Sequence, residues 1–303
     1  MKQLNDSTGF FELSDGHFIF AFDRNNGPKL EVSSGDRVRV KTMDCFANQL
    51  QTPGDRLGNI DWDRVNPATG PIFVKGARAG DALKVTIEKI EIGAQGAMAT
   101  GEGFGLLGDE MTGLTEKIVP IRDGQAIFNE RVSLPLNKMI GVIGVAPAGE
   151  PVSCGTPGRH GGNMDNKMIC ENAAVYFPVA VPGALFALGD VHAAMGDGEV
   201  GVSGVEVPAF VTVKLDVIED FALNNPYIEN ESHIVTIASD ESIETAISTA
   251  VHDMKLLLCD KLPLSTPEMS MLFSATGSVE ICQVVDPLKT ARFTFPKWIL
   301  DKY

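Results

Sequence analysis

Residues able to bind a metal or move a proton are concentrated between Gly158 and Glu206. This segment holds two of the five histidines, His160 and His192. Its acids include Asp165, Asp190, Asp197, Glu199 and Glu206. Glycines flank both histidines, and glycine lets the backbone turn sharply and approach a ligand closely. Because a histidine among carboxylates can ligate a metal, act as a base, or do both, the pattern predicts an active site.

His192 is the strongest single candidate. It follows Asp190 by two residues at the end of an apolar run. If Gly189–His192 is extended, the two side chains project to the same side of a strand, which suits two ligands of one metal ion. The alternative is a turn in which Asp190 accepts a backbone N–H and His192 only packs. The acids that converge on this glycine-rich segment favour metal binding or catalysis.

His160 lies in the loop sequence GRHGGNMDN, residues 158–166. Ordering such a loop is costly and yields little packing, so its side chains often serve a site. Asn163 and Asp165 follow and offer further oxygen ligands or hydrogen bonds. On local features alone, a hairpin built from turn-forming residues explains this segment equally well.

Three further candidates come from other parts of the chain. Asp44 ends a predicted strand and could supply a distant third ligand, although aspartate after a strand is also ordinary turn chemistry. Cys45 could be a nucleophile, but no neighbour marks it as activated, and a buried inert thiol is the simpler interpretation. Glu102, in a glycine-rich stretch, could be a general acid or base or a loop acid in solvent.

These residue types together predict a hydrolase-like site with a metal-activated water. A divalent metal lowers the pKa of a bound water towards neutrality. A mixture of aspartate and histidine suits zinc, and additional carboxylates could hold calcium or a second divalent metal. Residue types alone do not name the substrate.

The sequence predicts mostly β-strands as the elements that must position these residues. Thirty-one glycines and seventeen prolines punctuate short apolar runs, as is typical of β-rich chains. The predicted strands are Phe18–Phe22, Leu30–Val32, Arg37–Thr42, Leu83–Ile92, Lys117–Ile121, Gln125–Phe128, Phe177–Phe186 and Ala209–Ile218. A turn at Pro182–Gly183 is expected to break the strand Phe177–Phe186. They predict a sandwich-like or barrel-like β domain over residues 1–220 that carries the site loops.

A different pattern follows and predicts a small α+β domain over residues 221–303. Ser239–Cys259 has helical periodicity, with Ser239 as the expected N-cap. A second helix is expected after Pro267, followed by a strand over Val279–Val285 and an extended tail over Phe293–Tyr303.

Bulk properties exclude several classes of protein. The chain has 303 residues, 44% of them hydrophobic, which is enough for a substantial core. Its formal charge of −15 argues against nucleic acid as a partner and disfavours anionic membranes. No apolar run is long enough to span a bilayer, and the first residues lack a secretory signal. Five widely spaced cysteines complete the pattern of a cytoplasmic, reduced protein.

Several motifs, in order along the chain, resemble those of the acetamidase/formamidase family. They are MDCFANQ (Met43–Gln49), GRHGGNMDN (Gly158–Asn166), GDVHAAMGDGEV (Gly189–Val200), GVE (Gly204–Glu206) and the C-terminal Glu268–Pro287. The resemblance implies a mostly β homodimer with a small mixed C-terminal domain. It also implies hydrolysis of a short aliphatic amide to a carboxylic acid and ammonia, with bound zinc or calcium.

The resemblance also assigns roles to residues of this chain. The implied metal ligands are Asp44, His160, Asp165, Asp190 and His192, with Asp44 and His192 the first choices for the catalytic metal. Glu102 or Glu206 would carry the proton, and Asn163 and Met195 would contact the substrate. Met195 stands where the family pattern implies glutamine, so the hypothesis is a less polar pocket, and Met195→Gln should favour the smallest amides.

Two other functions fit parts of the pattern. A cysteine-nucleophile amidase would use Cys45 or Cys154, and would respond to thiol alkylation but not to chelators. A β-sandwich binding module would hold a structural calcium in its glycine-rich loops without releasing ammonia from any amide. The paired histidines count against the second, because calcium prefers oxygen ligands.

Overall fold

β-Strands dominate residues 9–303, the part of the chain that a computed structural model describes. The strands are β1 (Phe11–Leu13), β2 (Phe18–Ile19), β3 (Ala21–Phe22), β4 (Leu30–Ser33), β5 (Arg37–Thr42), β6 (Ala68–Lys75), β7 (Ala82–Ile92), β8 (Gln95–Gly101), β9 (Leu114–Arg122), β10 (Gln125–Ile127), β11 (Ser133–Pro135), β12 (Met139–Gly144), β13 (Val152–Ser153), β14 (Gly161–Asn163), β15 (Ala174–Pro178), β16 (Phe186–His192), β17 (Glu206–Val207), β18 (Ala209–Ile218), β19 (Tyr227–Glu229), β20 (His233–Asp240), β21 (Ser278–Gln283) and β22 (Lys289–Pro296). The α-helices are α1 (Ile243–Leu258) and α2 (Thr266–Thr276), and 3-10 helices cover Leu57–Asn59, Trp62–Arg64, Gly108–Glu110 and Lys297–Lys302. The expected mostly β fold with a small C-terminal helical part is confirmed.

The first large sheet is ordered β1-β5-β18-β7-β15-β19-β20-β22-β21. Apart from the parallel β1–β5 pair, its neighbouring strands are antiparallel. Alternation sets its faces, because successive residues of a strand point to opposite sides. In β5, for example, Val38 and Val40 are fully buried, whereas Arg39 between them is only partly buried.

The second large sheet runs β11-β10-β9-β8-β17-β16-β12-β14, and β6 joins β2 and β4 to β16. Every residue of β12 and β16 is buried. Strands that are buried on both faces have continuous apolar sequences rather than alternating apolar and polar residues. These two strands therefore form the rigid centre from which site residues project.

Side chains of both large sheets enter one apolar core. Val38 and Leu215 contribute from the first sheet, and Ile143 and Leu188 from the second. All four side chains are completely buried, and burying each one stabilises the folded state by about 1.5–3 kcal/mol. The core therefore holds the two sheets together beneath the strands that carry the site.

The helices form a second layer on the C-terminal strands. Met254 and Leu258 of α1 and Phe273 of α2 pack with Phe293 and Phe295 of β22 in a separate apolar cluster. Strands β19 to β22 continue the first large sheet, so this part shares hydrogen bonds with the N-terminal strands. The division into two domains at residue 220 stays a prediction. Within residues 9–303, neither α-helix has the length and apolar character that crossing a membrane requires.

The strands with clear alternation were predicted best. Arg37–Thr42 and Ala209–Ile218 are confirmed with the same bounds. The break expected at Pro182–Gly183 within Phe177–Phe186 is confirmed, but it is longer than expected, because β15 ends at Pro178 and β16 begins at Phe186.

Both predicted helices are confirmed, but one cap and the tail differ. Ser242, not Ser239, caps α1 by accepting the N–H of Thr245 at 3.3 Å. Ser239 belongs instead to β20, where it pairs with Thr290, because ladder hydrogen bonds extend that strand. The tail is extended only through Pro296 and then turns into the 3-10 helix.

Arg292 ties strand β22 to two loops of the glycine-rich segment. Its side chain is 1% exposed and donates to both carboxylate oxygens of Asp197, at 2.9 and 2.7 Å. It also donates to Glu280 Oε2 at 2.6 Å and to Asn166 Oδ1 at 3.1 Å. The arginine therefore fixes the GDGE turn and the NMDN loop against the same strand.

Replacing Arg292 with methionine should destabilise the protein by about 3 kcal/mol. Removing one partner of a buried ion pair costs about 3–5 kcal/mol. The lower end applies because the side chains of Asp197 and Glu280 are 30% and 36% exposed and can be hydrated. The urea midpoint of unfolding measures the loss.

Lys167→Met is the matched control, because Lys167 Nζ lies 2.7 Å from the same Asp197 carboxylate. Its side chain is 39% exposed, so its ion pair should contribute less than about 1 kcal/mol. Equal midpoints for the two variants would contradict the structural role of the arginine.

Candidate metal and amide site

Two paired strands bring His192 to its acids. His192 ends β16 and lies directly opposite Glu206, the first residue of β17. The Nε2 atom of His192 is 3.0 Å from Glu206 Oε2 and 3.2 Å from Asp190 Oδ1. The expected projection of Asp190 and His192 to one side is confirmed, and all three side chains are fully buried.

Glycine at position 141 makes room for the carboxylates. Gly141 lies in β12, next to Asp190 in β16. A Cβ atom there would collide with Asp165 Oδ1 and Asp190 Oδ2. The close approach of the two acids therefore depends on the absence of a side chain at this position.

Three acids of the cluster have left-handed backbone conformations. The φ angles of Asp165, Asp190 and Glu199 are +43°, +50° and +46°. Such conformations are uncommon for residues with a Cβ and persist where the surroundings enforce them, often at functional sites. The backbone is therefore shaped to direct these carboxylates inward rather than to relax into a regular strand.

The NMDN loop contributes Asn163 and Asp165. Asn163 Nδ2 donates to Asp286 Oδ2 at 2.9 Å, and its own Oδ1 has no hydrogen-bond partner among the described residues. Asp165 Oδ1 lies 3.8 Å from His192 Nε2, and neither Asp165 oxygen accepts a hydrogen bond from residues 9–303. A fully buried carboxylate without donors is costly, so this position requires a proton or a cation.

Glu199 enters the cluster from the GDGE turn. The turn is held to β21 by the Gly198 N–H, which donates to the Cys282 carbonyl at 2.9 Å. Glu199 is buried, and burial raises the pKa of its carboxyl group to about 8. The C-terminal strand therefore fixes the turn that delivers this acid.

Asp44 and Cys45 lie beside the cluster. Asp44 Oδ1 accepts the Asn48 N–H at 2.7 Å and Oδ2 accepts Gln51 Nε2 at 3.0 Å. Burial raises the pKa of Asp44 to about 6, and the charge of Asp190 adds to the increase. Asp44 therefore organises the turn that follows it, and Cys45 is the residue of this turn whose side chain meets Glu206.

The cluster contains several acids and a single base, so without a cation most of its carboxyl groups must keep their protons. Burial alone lowers the pKa of His192, but the carboxylates of Glu206 and Asp190 raise it well above its ordinary value. Burial raises the pKa of Glu206 to about 8 and that of Asp165 well above its usual range. One imidazolium cannot neutralise so many buried carboxylates.

Two groups of side chains have the composition of a metal site. In each group the ligand atoms lie within 4.8 Å of one another. The groups are Asp165, His192 and Glu199, and Cys45, Asp190 and Glu206. The unpartnered oxygens of Asp165, together with the excess of buried acids, fit a divalent cation.

A small cavity of about 130 Å³ opens onto these acids. Its polar lining includes Asn163, Asp190, Glu199, Glu206 and Asp286, and its apolar lining includes Phe46, Leu57, Trp62, Val65, Phe104 and Val202. No lysine or arginine of residues 9–303 lines it. Pockets for drug-sized ligands have about 300–1,000 Å³, so this cavity suits a molecule of few heavy atoms.

Three of the expected site residues lie elsewhere. His160 lines a separate cavity, with its ring edge-on to Phe22 at 5.1 Å. Burial lowers its pKa to about 4, so the imidazole is neutral at neutral pH. Glu102 is exposed and accepts the Gly113 N–H at 3.3 Å. Met195 is buried, its backbone is held by Asn137, and it does not line the small cavity.

Two residues of the cluster were missed as individual candidates. Glu199 carries a usable signal, since it stands in the same glycine-rich segment as His192. Asp286 has only a common Val-Asp-Pro sequence far along the chain. Burial raises the pKa of Asp286 well above its ordinary value, and the nearby charges of Asp165 and Asp190 add to the increase.

Comparison with known proteins gives a consistent family. The Acetamidase/Formamidase family model matches residues 24–154 and 150–240. The chain is 25% identical over 264 residues to the formamidase of Methylophilus methylotrophus, an alignment covering 65% of this chain and 64% of that protein. A relative in Schizosaccharomyces pombe is 25% identical over 263 residues, with 63% of its length covered. The alignments thus span less than two thirds of these curated relatives.

Solved structures resemble the chain over nearly its whole length. A recombinant predicted acetamidase/formamidase from Thermoanaerobacter tengcongensis is 56% identical, with a TM-score of 0.95 and 97% of each chain covered. An acetamidase from Bacillus halodurans is 44% identical, with a TM-score of 0.94 over 96% of this chain and 99% of that one. With these matches, the chain belongs to the acetamidase/formamidase family.

Proposed function

We propose that this protein hydrolyses a short aliphatic amide to a carboxylic acid and ammonia with the help of a bound divalent metal. The observation that carries the proposal is the buried acid cluster around His192, of which Asp190, Glu199 and Glu206 line a cavity of about 130 Å³. Relatives named formamidase and acetamidase support an amide as the substrate. The size of the cavity supports a small one.

The donor set favours zinc over calcium in at least one position. Asp165, His192 and Glu199 would hold the ion, since an imidazole nitrogen and carboxylate oxygens can all be zinc ligands. A bound divalent metal would polarise the amide carbonyl and lower the pKa of a water. Cys45, Asp190 and Glu206 form an adjacent group of possible ligands, but the proposal places one ion and leaves Glu206 free for proton transfer.

Residues of the chain itself would orient the amide. Asn163 Oδ1 is buried without a donor at the wall of the cavity, so it can accept an N–H of the carboxamide. Its Nδ2 is already committed to Asp286, which fixes which end of the side-chain amide faces the substrate. A substrate lacking the N–H would leave Asn163 Oδ1 unsatisfied, and this favours amides over esters.

Glu206 would transfer the proton to the departing ammonia. Its carboxyl group lines the cavity, and burial raises its pKa to about 8. Of the two expected proton carriers, only Glu206 lies in the cluster, while Glu102 is exposed to solvent.

The two rival functions have less support. Burial raises the pKa of Cys45 well above its ordinary value and that of Cys154 to about 12, whereas a nucleophilic thiol needs a lowered pKa. A site for calcium alone would not need the buried imidazole of His192 among its ligands. The homodimer, the cytoplasmic location and the absence of nucleic-acid and membrane partners stay predictions.

Removing the metal should abolish ammonia release from formamide and acetamide while leaving the β fold intact. Without the cation, the amide carbonyl would not be polarised and no water would be activated. The apolar core does not include the metal ligands, so the fold should remain. Ammonia release, metal content and far-UV circular dichroism are measured before chelation, after it, and after adding zinc. Full turnover by metal-free protein would contradict the proposal.

Glu206→Gln should lower kcat by about 10²–10⁴-fold, the usual contribution of general acid–base catalysis. Glu102→Gln is the matched control and should retain activity close to that of the unaltered protein. Steady-state ammonia release and metal content are compared for both variants. Loss of metal from Glu206→Gln would instead make this residue a ligand, and loss of activity in Glu102→Gln alone would reverse the assignment.

A further inference from the structure

The small cavity has two chemically different ends. Asn163, Asp190, Glu199 and Glu206 are buried and line its inner end, whereas Phe104 and the 44% exposed Trp62 line its outer end. A carboxamide with an alkyl substituent has the same division. The polar group therefore faces the acid cluster, and the substituent on the carbonyl carbon faces the apolar wall.

An aromatic pair forms the outer part of that wall. The rings of Trp62 and Phe104 are stacked, with centroids 5.6 Å apart and planes 14° from parallel. Trp62 is 44% exposed, whereas the acids at the inner end are buried. Both rings line the cavity, so the pair stands between the acid cluster and solvent.

The segment carrying Trp62 is attached to the turn beside the cluster. The Asp61 N–H donates to Gln49 Oε1 at 2.8 Å, and Gln49 Nε2 donates back to the Asp61 carbonyl at 3.2 Å. Four residues after Trp62, the Asn66 N–H donates to the Cys45 carbonyl at 2.7 Å. The indole is therefore held at a fixed place relative to Cys45.

The loop carrying Phe104 is attached to the chain next to Glu199. The Leu106 N–H donates to the Val200 carbonyl at 2.8 Å. Gly105 has a φ of +69°, and a Cβ atom there would collide with the same carbonyl oxygen. The glycine lets this loop approach closely and seats the Phe104 ring opposite the indole.

We propose that Trp62 and Phe104 are specificity-determining residues that close the cavity over the substituent of the amide and restrict the substrate to short aliphatic chains. This inference rests on the proposed amide hydrolysis and adds the residues that limit the length of the substrate's alkyl chain. The small volume leaves no room for a long chain while the rings are stacked. Removing either ring opens the apolar end towards solvent.

The test is the dependence of kcat/KM on chain length. Ammonia release is measured with formamide, acetamide, propionamide, butyramide and hexanamide for the unaltered protein, Trp62→Ala and Phe104→Ala. We expect each variant to raise the hexanamide-to-acetamide ratio of kcat/KM by about tenfold or more, within the range known for alkyl discrimination by apolar pockets. The change should appear mainly in KM for the longer amides.

Trp298→Ala and Phe128→Ala are the matched controls. Trp298 is 58% exposed in the C-terminal 3-10 helix, and Phe128 is 36% exposed after β10. Neither lines the cavity, so both variants should keep the original profile. Circular dichroism and the conservative variants Trp62→Phe and Phe104→Leu separate a change of specificity from a failure to fold.

Each other outcome has a definite meaning. Folded alanine variants that hydrolyse acetamide with the original chain-length profile would overturn the role of the aromatic pair. Folded variants that lose acetamide hydrolysis as well would show that the rings serve the reaction rather than its selectivity, and would also overturn it. No ammonia release by the unaltered, metal-loaded protein from any amide would overturn the proposed function itself.

Discussion

The burial of several carboxylates around a single imidazole is the constraint on which the rest of the structure depends. Asp165, Asp190, Glu199 and Glu206 are all buried near His192. Moving one ion out of water costs several kcal/mol unless nearby charges and donors compensate. Fixed features of the backbone hold the acids together despite this cost. They include the glycine at position 141 and the left-handed φ angles of three acids. The cluster is therefore an enforced arrangement, which is typical of a site that binds a cation.

Sequence reasoning found the centre of the candidate site because its residues are local. Asp190 and His192 are two residues apart in one strand, and the alternation of a strand places both on one side. Glu206 is opposite His192 in a neighbouring strand, a pairing that sequence does not reveal without register. Asp286 was missed because its contact with Asn163 joins distant parts of the chain. His160 belongs to the same loop as Asp165 but lines another cavity, a difference of direction that sequence does not reveal.

Strands, too, were predicted best where the sequence alternates between apolar and polar residues. Strand β5 alternates between buried and less buried residues and was predicted with its bounds. Strand β12 was not predicted, because all six of its residues are buried and its sequence has no alternation. A short apolar run of this kind cannot be assigned from periodicity alone. The strands at the centre of the second sheet, where the site is built, are therefore the ones that sequence shows least clearly.

The attachment of the GDGE turn and the NMDN loop to Arg292 has a consequence for biosynthesis. During translation at about 5–20 residues per second, Asp286 and Arg292 leave the ribosome after every other residue that shapes the cluster. The nascent chain can build most of both large sheets earlier, but the loops bearing Asp165 and Glu199 then lack their anchor. Completion of the acid cluster is thus coupled to the vectorial order of synthesis, and its loops are anchored only after Arg292 has been synthesised.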